Sequence, residues 1–236
     1  IAAPAEPLSG DLDIAQYGIF VMSAAHVNIE GNSISGLKAG PKSGNGWPGE
    51  GIWVYSNASD VTIIGNTLED NVIGVHVEDV PAVGGPVLRE NKFIDNVYSI
   101  LNQKGNIGTA VNTVDAKENY WISATGPNVY SVTEMGATSW AAFYNLVNGT
   151  NPPFPLFAVS DKVDFAPWCK TEACDELAPD ENGVVELSGE INIPGGIQVD
   201  VPHITYHLAA DTVIENDSPC FVVNASYTQI LAEPGA

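Results

Sequence analysis

The sequence predicts an all-β solenoid of short parallel strands, and three observations predict it. A phrase of about a dozen residues recurs, a strand-like segment precedes each copy at the same place, and the intervals between copies are nearly constant. The phrase reads as an apolar strand, a turn, then Gly-Asn or Glu-Asn followed by apolar-x-x-Asn. It occupies residues 27–34, 61–71, 87–96 and 114–121. The preceding segments begin at Gly18, Gly51, Gly74 and Tyr98, with intervals of 33, 23 and 24 residues. A coil of about 22–24 residues with three short strands is the underlying unit. The longer first interval contains a Gly/Pro-rich stretch, residues 38–50, which reads as an inserted loop.

Such coils stack each strand in parallel on its equivalent about 4.8 Å away. Inward side chains then form continuous apolar columns, and Ile29, Ile63 and Leu88 fall in one of them. Asn tolerates left-handed backbone and pairs with its counterpart in the next coil as a ladder. That accounts for Asn32, Asn66, Asn91 and Asn119 at one place in the repeat.

Composition narrows the function classes. The chain has 236 residues, 44% of them hydrophobic, which excludes a disordered polypeptide. Acidic residues outnumber basic ones 29 to 8, for a formal charge of -21. Nucleic acid and anionic membrane surfaces require basic patches, so neither is a partner. No run of 18 apolar residues is available to span a bilayer. Ile1 cannot be a translation start, so the chain reads as a processed or excised piece. Sequons at Asn57, Asn148, Asn216 and Asn224 fit an extracellular or cell-surface setting. Cys169 and Cys174 lie five positions apart and form a candidate small-loop disulfide, while Cys220 reads as a small buried hydrophobe in an apolar run.

Two further phrases carry a resemblance. Residues 119–128 run Asn-Tyr-Trp-Ile-Ser-Ala-Thr-Gly-Pro-Asn, and residues 163–168 run Val-Asp-Phe-Ala-Pro-Trp. They resemble the N-x-W-G-S-x-T-G-P and V-D-x-x-P-W phrases that close right-handed parallel β-helices of the pectate-lyase-like superfamily, NosD-like surface proteins among them. Ile122 stands where that pattern has Gly. The resemblance covers about residues 15–168 and implies right-handed coiling, in line with the rule for parallel crossovers. It does not imply one activity, since the superfamily hosts lyases, hydrolases, epimerases and inert scaffolds.

Domain organisation follows. Residues 1–168 form coils with a closing cap and an insertion at about 129–161. Within it Trp140, Phe143, Tyr144 and Val147 have helical spacing and predict a short capping helix. Residues 169–182 are polar, acidic and Pro-containing, and read as a linker. Residues 183–236 restart the strand pattern as opening coils, which would stack on an N-terminal end, either their own or that of the next subunit. The assembly ends are then Ile1, Ala2 and Ala3 on one side and Ile230, Leu231 and Ala236 on the other.

Chemistry is sparse. Lyases of the superfamily abstract a proton with Arg or Lys, and the single arginine, Arg89, reads as a surface ion pair. Asp70 and Asp95 fall at equivalent turns of successive coils, where they could hold a cation such as Ca2+, although no cofactor is required. His203 and His207 share one strand face and read as a polar pair on the solvent side. Trp53, Tyr55, His76 and Glu78 form the best candidate glycan contact, because aromatics stack on sugar faces and carboxylates fix hydroxyls. The sequence therefore favours a non-enzymatic extracellular scaffold, a subunit of a β-helix fibre that stacks head to tail on itself or part of a tandem surface array. A polysaccharide lyase or glycoside hydrolase, or a carbohydrate-binding module, is the alternative.

Overall fold

The computed structural model describes residues 16–38, 49–81, 84–105, 108–123, 125–130, 142–143, 158–179, 183–191, 197–199, 204–214, 220–223, 225 and 228–234. Its first coil runs through β1 (Tyr17–Met22), β2 (Ala25–Glu30) and β3 (Ser33–Ser35). The second holds β4 (Glu50–Tyr55), β5 (Ser59–Ile64) and β6 (Thr67–Glu69), the third β7 (Ile73–Glu78), β8 (Val87–Arg89) and β9 (Lys92–Ile94). The fourth opens with β10 (Tyr98–Lys104), folds outward through β11 (Gly108–Thr109) and returns in β12 (Val114–Asp115). β13 (Asn128–Val129), β14 (Ala158–Val159) and β15 (Val163–Asp164) close this stack.

The strands form three sheets. One has the order β1-β4-β7-β10-β14-β13, a second β15-β12-β8-β5-β2, and a third β3-β6-β9. Except for the β10–β11 hairpin, every pairing in them is parallel. Ile29, Ile63 and Leu88 are register partners, as the repeat predicts. Ile34, Leu68 and Phe93 form another fully buried column, and Trp121 caps it with its ring 4.7 Å from that of Phe93. Burying each such aliphatic side chain stabilises the fold by about 1.5–3 kcal/mol. Gly18, Gly51 and Gly74 enter the first sheet where no Cβ fits. A Cβ on Gly51 would lie 2.5 Å from the Gly74 carbonyl oxygen and 2.8 Å from Leu68 Cδ2.

The asparagine ladder is present. The side-chain Nδ2 of Asn32 donates to Asn66 Oδ1 at 3.0 Å, Asn66 to Asn91 at 3.0 Å, and Asn91 to Asn119 at 2.9 Å. Each acceptor oxygen also takes the backbone N–H of the same donor residue, at 2.8, 3.0 and 2.9 Å. A shorter second ladder joins Asn71 to Asn96 at 3.1 Å, and the Leu37 N–H donates to Asn71 Oδ1. The left-handed residue is not the asparagine, as the sequence suggested, but the one before it. Gly31, Gly65, Glu90 and Glu118 have φ of 66°, 63°, 55° and 56°. That residue makes the corner, which leaves the asparagine free to aim its amide inward.

The two closing phrases pack on each other. Gly126, at φ 80°, lies so close to Trp168 that a Cβ would stand 2.9 Å from the indole. Ile122 adopts φ 57° in the place where the family pattern has Gly, a strained conformation for a β-branched residue. Of the predicted capping helix only Ala142 and Phe143 are described, both helical, with Phe143 buried 6.4 Å from the Tyr98 ring. Trp140, Tyr144 and Val147 lie outside the described residues.

The segment read as a linker contains an antiparallel hairpin, β16 (Trp168–Cys169) with β17 (Leu177–Ala178). A Cys169–Cys174 disulfide lies in its loop, with a Cα–Cα distance of 4.7 Å. The hairpin extends the asparagine side of the stack, because the Cys169 N–H donates to the Asn119 carbonyl at 3.0 Å. The strand pattern then restarts. β18 (Val184–Leu187), β19 (Glu190–Ile191) and β20 (Ile197–Val199) form one coil, β21 (Thr205–Leu208), β22 (Val213–Ile214) and β23 (Phe221–Val223) the next, and β24 (Gln229–Ala232) begins a third. β20 lies against β13, at the opposite edge of the first sheet from β1, and the buried core is continuous across the join. Cys220 is exposed, not buried, because it precedes β23 at the outer edge of this segment.

Replacing Asn91 by Ala removes an acceptor for two donors and a buried donor, and should cost about 2–4 kcal/mol in a urea unfolding titration. The same change at Asn32, at the end of the ladder, should cost markedly less. Ile122→Gly relieves the left-handed strain and should raise stability by about 1 kcal/mol in the same assay.

Candidate functional site

The outward face of the first sheet gathers the aromatic and titratable residues. Ile52 and Val54, like Val75 and Val77, point into the core, so the residues alternating with them face out. Register then sets three rows across the strands. Tyr17, Glu50, Ile73 and Tyr98 form one, because the alternation shifts at the glycines, where a Cβ on Gly51 or Gly74 would already point inward at Leu68 or Phe93. Phe20, Trp53, His76 and Leu101 form the second, and Met22, Tyr55, Glu78 and Gln103 the third.

Trp53 is flanked on both neighbouring strands. The Phe20 ring lies 4.6 Å away on β1 and the His76 ring 5.6 Å away on β7, the latter within 3° of parallel. Tyr17 and Tyr55 each approach it at 5.0 Å. Beside this stack Glu50 Oε1 lies 3.0 Å from His76 Nδ1, and Gln103 Nε2 lies 3.1 Å from His76 Nε2. Glu78 Oε2 is 3.9 Å from the same Nε2. Among the described residues, Glu50 Oε2 and Gln103 Oε1 have no hydrogen-bond partner although both are buried.

Burial raises the Glu50 carboxyl above its ordinary value, and the imidazole beside it only partly offsets this. Burial likewise raises Glu78 against the opposing pull of His76. Burial also pushes the Tyr17 hydroxyl upward, helped by the charges of Glu50 and Glu78. The geometry is that of a carboxylate orienting an imidazole, an arrangement able to hold a proton and pass it along a short row.

The four residues predicted for glycan contact thus do come together, but not as an open patch. Trp53 is 7% exposed, His76 0% and Glu78 6%, and only Tyr55 is half-buried. Both faces of Trp53 are already occupied, so a sugar ring has no face of it to stack on. Sequence reasoning missed Glu50, Gln103, Tyr17 and Phe20. The signal was present in the constant offsets, since Phe20, Trp53 and His76 each stand two places after the glycine of their strand.

The other predicted positions are separate. Asp70 and Asp95 occupy equivalent corners with φ of 53° and 51°, and Asp70 pairs with Lys38. No group of three or more His, Cys, Asp or Glu residues is placed to hold a metal ion among the described residues. Arg89 reaches Asp115 of the next coil at 2.5 Å. Asn57 is exposed in a left-handed turn after β4. Asn148, Asn216, Asn224, His203, Ile1, Ala2, Ala3 and Ala236 lie outside the described residues.

Stacked parallel sheets around a shared apolar interior define a right-handed parallel β-helix. A family model described as a right handed beta helix region matches residues 10–120. No curated protein and no solved structure shows a significant match to the chain.

The buried carboxyls have a consequence for pH. A carboxyl raised in the folded state keeps its proton where the unfolded chain has lost it, so stability falls as pH rises above the ordinary value of 4.5 toward the folded value. The thermal midpoint should therefore be higher near pH 5 than near pH 7.5, and Glu50→Gln should flatten that slope and raise the midpoint at neutral pH.

Proposed function

We propose that the chain is a non-enzymatic structural β-helix that stacks head to tail on further copies of itself in an extracellular or cell-surface setting. The observation that carries this reading is that, among the described residues, the inward columns lose their cover at both ends of the stack. On the C-terminal side Val185 and Tyr206 are buried at 0% and 2%, while their register partner Ile230 is 41% exposed. Val223 is likewise 51% exposed, although its register partner Val199 is buried at 0%. On the N-terminal side Ile52 and Val61 are buried at 0% and 1%, whereas their register partners Ile19 and Val27 in the first coil are only half-buried. A shallow depression of about 700 Å³ follows this edge, lined by Ile19, Val21, Val27 and Ile29.

Unpaired parallel edges with apolar side chains are templates for further strands. The two ends have opposite polarity, so one copy offers the edge that another needs, a heterologous contact that propagates. A second copy also brings the same strand spacing and the same three-sided section. The disulfide between Cys169 and Cys174 and the exposed sequon at Asn57 support an oxidising, extracellular location.

A second reading, binding or cleavage of a polysaccharide, is favoured by the partly exposed aromatics Tyr17, Phe20 and Tyr55 beside two carboxyls. Light scattering with negative-stain microscopy separates the two. The chain should form concentration-dependent linear particles, and Ile230→Lys should reduce them to monomers with unchanged circular dichroism. A strictly monomeric chain at high concentration would sink the assembly reading. Retained polysaccharide binding by the Ile230→Lys protein would support the second one.

A further inference from the structure

The C-terminal sheet carries a side-chain row that the stacking reading does not use. Val184, Val185, Glu186 and Leu187 of β18 pair with Thr205, Tyr206, His207 and Leu208 of β21, which pair in turn with Gln229, Ile230, Leu231 and Ala232 of β24. Val185, Leu187 and Tyr206 are buried, so Glu186 and His207 alternate to the outer face. His207 Nδ1 lies 2.7 Å from Glu186 Oε2. On its other side His207 Nε2 lies 3.9 Å from Glu233 Oε1, at the end of the edge strand. The second oxygen of Glu233 accepts the Ala210 N–H at 3.2 Å, which fixes that carboxylate over the turn after β21. One imidazole thus stands between carboxylates from the coil before it and the coil after it.

β24 is the weakest-held strand of this sheet. Every residue in it is exposed, and it pairs on one side only among the described residues. Its attachment rests on backbone hydrogen bonds such as those of the Gln229 and Glu233 N–H groups to Ile204 and Leu208. Weakly packed edge elements of this kind open locally at low cost. The outer-face row is the one side-chain contact described between β24 and β21 that changes with charge.

Resting on the stacking reading above, we propose that His207 is a pH-operated latch on the assembly end. Protonated, it bridges Glu186 and Glu233 and holds β24 on the stack, with the edge straight and ready for a second copy. Neutral, it leaves the Glu233 carboxylate without a cation, in a chain of formal charge -21, and β24 opens. The groups facing the imidazole are Glu186 from β18 and Glu233 beyond β24, and β21 itself contributes no other charged side chain. The protonated imidazole supplies the cation that both carboxylates face, so acidification closes the latch. The contacts are partly exposed, so the effect is modest and falls with salt.

Hydrogen exchange of the β24 amides, on dilute monomeric protein and corrected for intrinsic rates, tests this. Protection should be about two- to fivefold greater near pH 5.5 than near pH 7.5 at low salt. His207→Gln should remove that difference for β24 while leaving the amides of β5 and β8 unchanged, and Glu233→Gln should do the same without touching the imidazole. Equal protection at both pH values in the unaltered chain, or a difference that survives both substitutions, would overturn the latch. Light scattering on the same samples judges the stacking separately. A latch without linear particles at either pH would remove the stacking reading and leave the latch standing. Particles formed equally at both pH values, with β24 protection unchanged, would do the reverse.

Discussion

Each coil of the central stack is held in place by a buried carboxamide that satisfies two donors at once. Asn91 Oδ1 takes both the backbone and the side-chain N–H of Asn66, and Asn119 Oδ1 does the same for Asn91. A slip of one residue would strand several buried polar groups and turn apolar columns outward. The ladder therefore fixes the register from which everything else follows. It aligns Ile34 with Leu68 and Phe93, sets Trp53 between Phe20 and His76, and brings Glu50 within hydrogen-bonding distance of an imidazole on the next strand.

Much of this was legible in the sequence because the period is short and the markers are chemically distinct. Asn recurs where an amide must be buried, and Gly recurs where no Cβ fits, as at Gly51. Other features depend on packing that a linear pattern does not contain. Trp53 and His76 look like surface residues by alternation, yet they are buried. The corner residues were harder still, because Gly, Glu and Asp all occupy the left-handed position and only the coordinates show that they share it. The hairpin over residues 168–178 was hidden by a polar composition that suits a linker equally well.

Electrostatics in this acidic chain operates between coils more than within them. Arg89 meets Asp115, Lys117 meets Asp164 at 2.9 Å and Lys92 meets Glu172 at 3.2 Å, each partner lying on another turn of the solenoid. The described histidines follow the same rule. His26 Nδ1 lies 3.4 Å from Asp60, His76 Nδ1 faces Glu50, and His207 Nδ1 faces Glu186. The scarce cationic groups are placed where they tie one coil to the next. Buried Glu50 and Glu78, which resist ionisation, add to the same preference for mild acid.

The unequal length of the two asparagine ladders has a mechanical meaning. One ladder spans four coils, while the other joins only Asn71 and Asn96, with Leu37 contributing a backbone N–H alone. In a quasi-one-dimensional structure each unit draws its stability from its nearest neighbours. The coils that carry both ladders are the stiff middle, and the singly bonded coils on either side are graded toward looseness. Under tension or heat such a chain yields as a zipper, turn by turn from its extremities.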